Sequence, residues 1–204
     1  MSVKKDAIKS DLAAYKAAFD QTGIPWVIIG GVVLGYARYK DIMDWDTDSD
    51  VVVPVELTND MWQDLRNALA KNGLRFPPNK VDFMYCYRKT ECNMEFYHKD
   101  GDVYNCFPKS TPGLKFVEKA MWYDELQIVD FLGSKYPIPN HVENFVAAHY
   151  GADWKTNIIK DHAQYFTDKR GGRDQSKWLT SRAGKQGDLW PKILKLGDSV
   201  ETNQ

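Results

Sequence analysis

Five of the ten residues from Asp41 to Asp50 are aspartates, and no lysine or arginine lies among them. Carboxylates crowded in this way repel one another unless something compensates. In an extended strand alternate side chains share a face, so Asp46, Asp48 and Asp50 are expected to project together, with successive Cα atoms ~6.5–7 Å apart. Oxygen ligands at that spacing suit a hard divalent cation, Mg2+ or Mn2+, and leave room for phosphate oxygens. Val51, Val52 and Val53 follow at once and read as a buried strand with the acids at its mouth. The same aspartates fit positions one, three and five of a calcium-binding EF-hand loop. That reading fails, because Val51 and Leu57 stand where the loop needs glycine and a bidentate glutamate.

Gly30 and Gly31 stand just upstream, at an expected strand-to-helix turn, with Gly35 and Arg38 in the helix that follows. Backbone N–H groups at such a junction can approach phosphate closely, and Arg38 supplies charge. The spacing is neither GxGxxG nor a Walker loop, so its meaning comes from the acidic strand behind it. Glu95 is the candidate third carboxylate, to hold an ion or to take the proton of an acceptor hydroxyl. It lies between Met94 and Phe96, where an unpaired charge is costly, so a cation or basic partner is expected beside it. His98, His141, His149 and His162 match no ligand spacing, and surface or capping roles are expected for all four. Cys86, Cys92 and Cys106 lack a CxxC pair and are expected to be buried free thiols.

These residues need a scaffold, and the hydrophobic pattern supplies one. Ile8, Leu12, Tyr15 and Phe19 recur at helical spacing and predict a helix over 4–21, followed by a buried strand over 24–29. A helix resumes over 34–38, a strand covers 46–53, and a helix over 61–72 is capped by Thr58 or Asn59, with Met61, Leu65 and Leu69 on one face. Residues 81–107 read as a meander turning at Lys89-Thr90 and at Asp100-Gly101. Extended segments over 126–132 and 136–139 precede a helix opened by an Asn140/Glu143 capping box and running to Tyr150. The expected organisation is a catalytic unit over 1–155, a basic helical extension over 156–196 and a frayed tail over 197–204.

Composition narrows the function classes. The 204 residues are 43% hydrophobic and 27% charged, ordinary globular usage. With 27 basic and 28 acidic residues the chain lacks the electrostatic pull of a nonspecific nucleic-acid binder, and no nucleic acid is expected as partner. No apolar run approaches the ~20 residues of a membrane span, and the start lacks the apolar core of a secretory signal, so a cytoplasmic location is expected.

Gly30, Gly31, Val32, Val33, Leu34, Gly35, Tyr36, Ala37 and Arg38, followed by Trp45, Asp46, Thr47, Asp48, Ser49 and Asp50, resemble the LicD and fukutin-related phosphotransferases in order and spacing. The likeness continues through the Glu95 strand and from Tyr136-Pro137-Ile138-Pro139 to Tyr150-Gly151, covering about residues 24–155. It implies an α+β, nucleotidyltransferase-like mixed β-sheet flanked by α-helices, with a C-terminal helical segment. It also implies transfer of phosphocholine or an alditol phosphate from a CDP-activated donor to a glycan or other hydroxyl acceptor. Asp48 and Asp50 would be the metal pair and Glu95 the third carboxylate, while Gly31, Arg38 and Asp46 would shape the donor phosphate site. Two other readings stay open: transfer of a nucleoside monophosphate from an NTP, and a non-catalytic nucleotide- or metal-binding module.

Overall fold

The computed structural model describes residues 3–75, 83–106 and 116–156. Helix α1 (Val3–Thr22) buries Ile8, Leu12, Tyr15 and Phe19, the stripe that its periodicity predicts. Strand β1 (Val27–Ile29) spans three residues, shorter than the expected 24–29. Helix α2 (Gly30–Tyr39) starts at Gly30, so no Gly-Gly turn precedes it. Strand β2 (Asp48–Val53) begins two residues later than its valine-rich pattern suggests.

Helix α3 (Asn59–Lys71) is capped by Thr58, whose Oγ1 accepts from the Met61 N–H at 3.2 Å. Strands β3 (Phe83–Tyr87), β4 (Glu91–Asp100), β5 (Val103–Cys106) and β6 (Phe116–Lys119) follow, then a single 3-10 turn at Ala120–Trp122. Strands β7 (Gln127–Phe131) and β8 (Ser134–Ile138) form a separate hairpin before α4 (Val142–Tyr150). The expected capping box does not form: His141 occupies the N-cap in a left-handed conformation without a side-chain cap, and Asn140 Oδ1 instead accepts from the adjacent His141 N–H. The extension expected over 156–196 and the tail over 197–204 lie outside the described residues from 157 onward.

The main sheet has six strands in the order β1-β2-β4-β5-β6, with β3 also pairing on β4. Strands β2 and β4 are parallel and the other pairs antiparallel, so the sheet is mixed. Register determines which residues share a face: Asp48 lies beside Glu91, Asp50 beside Asn93 and Val52 beside Glu95. Tyr97 continues that face along β4, and the pairings of Lys99 with Tyr104 and of Tyr104 with Glu118 carry it across β5 to β6. Helices α2 and α4 cover this face. On the other, Phe96 meets Trp62 of α3 edge to face at 5.2 Å, and the Cys92 thiol meets Asp11 of α1.

Asp11 is fully buried and fixes the β3–β4 turn to α1. It accepts from the Thr90 N–H at 2.7 Å and Oγ1 at 2.8 Å, and pairs with Arg88 at 3.2 Å. Cys86 and Cys92 sit directly opposite each other on β3 and β4 as buried free thiols, as the sequence predicts. Among the described residues, no helix is long and apolar enough to cross a membrane.

Candidate functional site

Two of the five aspartates are neutralised from outside the acidic run. Lys5 of α1 reaches Asp41 at 2.8 Å and Asp44 at 3.0 Å. These bonds raise the Lys5 pKa and, led by the Lys5 hydrogen bond, lower that of Asp41. A local count of lysines and arginines cannot see this compensation, because the cation comes from 36 residues upstream. The remaining acids, Asp46, Asp48 and Asp50, are where a ligand is to be sought.

They do not form one strand face. Asp46 precedes β2 in a turn closed by its own N–H on the Met43 carbonyl at 3.1 Å, so only Asp48 and Asp50 share the strand alternation. Asp46 and Asp50 nevertheless gather around the first turn of α2, and Asp48 lies two residues before Asp50 on β2. A Cβ on Gly30 would stand 2.5 Å from Asp50 Oδ2, and one on Gly31 would stand 2.8 Å from Asp46 Oδ2. Gly30 needs glycine for its φ of +69° as well as for the close approach, whereas at Gly31 only the Asp46 carboxylate tip would have to yield to a Cβ. The start of α2 is the positive end of its dipole and carries unspent N–H groups, which favours negative charge there.

Asn93 of β4 joins this group, and the sequence reading missed it. Its Nδ2 donates to Asp50 Oδ1 at 2.6 Å, it is 1% exposed, and its Oδ1 is buried with no hydrogen-bond partner among the described residues. Its one sequence signal is an amide inside the apolar run Cys92 to Phe96, where a polar group needs a partner. Glu95, the predicted third carboxylate, lies on the same face one step further along β4, level with Val52. It is 3% exposed, and its Oε2 accepts from the Tyr97 hydroxyl at 2.9 Å.

Gly35 and Arg38 sit apart from this cluster. Gly35 admits the Asp41 carbonyl, which would lie 2.5 Å from an added Cβ, and so serves packing. Arg38 is eight residues on from Gly30, ~12 Å along the helix axis. Its Nε donates to the Trp154 carbonyl, and its Nη1 is buried without a hydrogen-bond partner among the described residues. Trp45 is half-buried against the core. The expectation of surface or capping roles for every histidine is overturned by His149, which is 6% exposed and meets Glu118 Oε1 at 2.9 Å. Its position in the last turn of α4, facing a strand, puts it inside. His162 lies outside the described residues.

Among the described residues no three His, Cys, Asp or Glu side chains converge as a metal cage. The oxygen donors present still fit Mg2+ or Mn2+. Mg2+ is usually held by one or two carboxylates, with substrate phosphates and water completing the shell, and the buried Asn93 Oδ1 offers a further neutral oxygen beside Asp50.

Known proteins share this arrangement at the level of fold. The NMR structure of the antibiotic-resistance factor ANT(2'')-Ia superimposes with a TM-score of 0.50 at 11% identity, covering 97% of this chain and 92% of that one. The lincosamide antibiotic adenylyltransferase LnuA, solved with lincomycin, gives 0.47 at 12% identity over 69% of this chain and 82% of its own. ANT(2'')-Ia in complex with adenylyl-2''-tobramycin gives 0.45 at 13% identity over 95% and 97%. No curated protein sequence matches the chain. The sequence profile described as LicD/FKTN/FKRP, nucleotidyltransferase domain, matches residues 23–141. That span runs from the strand before α2 to the N-cap of α4, holds Asp48, Asp50, Asn93 and Glu95, and exceeds half of the chain. The protein therefore belongs to the LicD/FKTN/FKRP nucleotidyltransferase-domain family.

Proposed function

We propose that this protein is a divalent-metal-dependent transferase that moves a phospho-substituent, of the phosphocholine or alditol phosphate type, from a CDP-activated donor to a hydroxyl of a glycan or small-molecule acceptor. The observation that carries this reading is the approach of the Asp50 and Asp46 carboxylates to the glycine-opened first turn of α2, with Asp48 two residues before Asp50 on β2. Asp48 and Asp50 would hold Mg2+ or Mn2+, which supplies neutralisation of the donor pyrophosphate and of the charge that develops during transfer.

The remaining work falls to the chain's own groups. Gly30 and Gly31 let the α2 backbone approach the donor phosphates, and Asp46 shapes the edge of that approach. Arg38 adds positive charge at the far end of the same helix. The Tyr97 hydroxyl donates to Glu95, and Glu95 would take the proton of the acceptor hydroxyl. In the balanced step the acceptor oxygen forms a bond to the donor phosphorus, the bond from phosphorus to CMP breaks, Glu95 ends protonated and CMP leaves.

The test is incubation of the wild-type protein with Mn2+ and, separately, CDP-choline, CDP-ribitol and each of the four NTPs. Release of CMP, abolished by Asp48→Asn in a variant that keeps its melting temperature, is the expected result. Release of pyrophosphate from an NTP would establish nucleotidyl transfer in its place. An Asp48→Asn protein with undiminished turnover would exclude the carboxylate pair from the reaction.

A further inference from the structure

Lys5 is a cation in a place that helix α1 itself does not favour. It stands in the first turn of α1, where the helix dipole and the free N–H groups prefer acids. Its compensation lies in the acidic loop between α2 and β2. Nζ reaches Asp41 Oδ2 at 2.8 Å and Asp44 Oδ1 at 3.0 Å, with the lysine side chain 19% exposed. One ammonium thus bridges two carboxylates three residues apart. The span that matches the LicD/FKTN/FKRP profile begins at residue 23, so this cation comes from outside it.

The bridged residues lead directly to Asp46. Ile42 and Met43 hold the start of the loop by burial, and the Asp41 carbonyl packs on Gly35. Asp44 then faces solvent, its side chain 79% exposed, and Lys5 ties it back to α1. Two residues on, the Asp46 N–H donates to the Met43 carbonyl at 3.1 Å, and the Asp46 carboxylate lies against Gly31. The turn over 43–46 is therefore held at its start by the core and in its middle by Lys5. Ion pairs to exposed carboxylates add little to global stability. Without the ammonium, however, Asp41 and Asp44 repel each other at the edge of this turn.

We propose that Lys5 is a positioning residue for the donor site: by bridging Asp41 and Asp44 it sets the turn over 43–46, and through that turn the Asp46 carboxylate at the start of α2. The inference rests on the transferase reading above, which gives Asp46 its place beside the donor phosphates, and it adds helix α1 to the site.

Amide hydrogen exchange, and calorimetry of CDP binding with Mn2+ present, test this on the full chain without any need for turnover. In Lys5→Met, exchange over 43–47 should quicken about fivefold and CDP affinity should fall about fivefold, the scale of coupling inside one salt-bridge network. The melting temperature should stay within about 2 °C of wild type. Lys5→Arg, which keeps a cation able to reach both carboxylates, should stay close to wild type in both readings. Lys4→Met removes the same charge from the same turn of α1, at an exposed position, and should change neither. Asp41→Asn/Asp44→Asn should also weaken CDP, although it removes negative charge. Tighter CDP binding in that variant would mean that the freed Lys5 touches the phosphates itself, and overturns the proposal. So does unchanged exchange or unchanged CDP affinity in Lys5→Met, or an equal loss of CDP affinity in Lys4→Met. If the wild-type protein binds no CDP and transfers from no donor, the transferase reading falls. Exchange over 43–47 then decides the bridge by itself: quickened in Lys5→Met it upholds the hold on the turn, unchanged it sinks that as well.

Discussion

Asn93 Nδ2 donates to Asp50 Oδ1 across the parallel β2–β4 rung at 2.6 Å. The amide orientation follows from the partner, because a carboxylate accepts and has no proton of its own to give. Asn93 Oδ1 is consequently turned away from Asp50 into a buried position without a hydrogen-bond partner among the described residues. One side chain thus fixes an acid and leaves a hard oxygen next to it, one step along β4 from Glu95.

Replacing Asn93 should register in metal affinity before it registers in fold. Asn93→Leu removes both the bond that orients Asp50 and the spare oxygen, and loss of such an orienting partner typically weakens a metal site ~10–100-fold. Asn93→Asp puts a carboxylate against Asp50. It should lower the melting temperature in EDTA yet show a larger rise with Mn2+ than wild type, since binding to the folded state adds stability. Electron paramagnetic resonance of free Mn2+ and thermal melts measure the two effects. Unchanged Mn2+ affinity in Asn93→Leu would confine Asn93 to packing.

Gly30→Ala should separate activity from stability. Alanine at φ +69° is strained by about 1–3 kcal/mol, and its Cβ would displace the Asp50 carboxylate from a 2.5 Å contact. A shift of that kind near reacting groups costs roughly a hundredfold in rate. Gly31→Ala should be milder in stability, since only the Asp46 carboxylate tip must yield. Turnover and melting temperature on both variants check the order; equal activity in Gly30→Ala would remove the first turn of α2 from the site.

What could be read in advance tracks how local the cause is. The strand positions of Asp48 and Asp50 were legible because strand alternation and the valines after them are properties of six consecutive residues. Asp46 was misplaced on that strand because a turn bond to Met43, a local choice the pattern does not encode, holds it outside. The Lys5 pairing, the Asn93–Asp50 rung and the Glu118–His149 contact join residues 31 to 43 positions apart, and only the assembled sheet and helices bring them together. The helix-capping expectation at Asn140 failed for a similar reason. The chain enters α4 through a left-handed His141, whose backbone makes the box geometry inaccessible.

Asp11→Ala should destabilise the protein without touching the chemistry. The carboxylate is fully buried on the face opposite the acidic cluster and holds the β3–β4 turn through Thr90 and Arg88. Removing it leaves the Thr90 N–H without its acceptor, a change on the order of 2–4 kcal/mol when such a network is broken. Denaturant melts should show that loss, with turnover per folded molecule unchanged. A loss under about 0.5 kcal/mol, the scale of ordinary surface changes, would mean that the turn holds itself.

The thiols of Cys86 and Cys92 predict a loss of stability at alkaline pH. Burial, the largest cause, pushes them from 9.0 to about 12 and about 11 respectively. The folded state therefore prefers the neutral thiol more strongly than the unfolded chain does. Below pH 9 both states hold the protons and the stabilisation is fully present. Above 9 the unfolded chain ionises first, so stability falls as pH rises toward 11 and 12, where the folded thiols ionise as well. The same burial should keep both thiols unreactive to a thiolate-selective reagent at pH 8 until denaturant is added. A Cys86→Ala/Cys92→Ala variant should show a shallower decline in unfolding free energy between pH 9 and 11 than wild type. Parallel curves, or rapid labelling of either cysteine in the folded protein, would show that the β3–β4 pair is open to solvent.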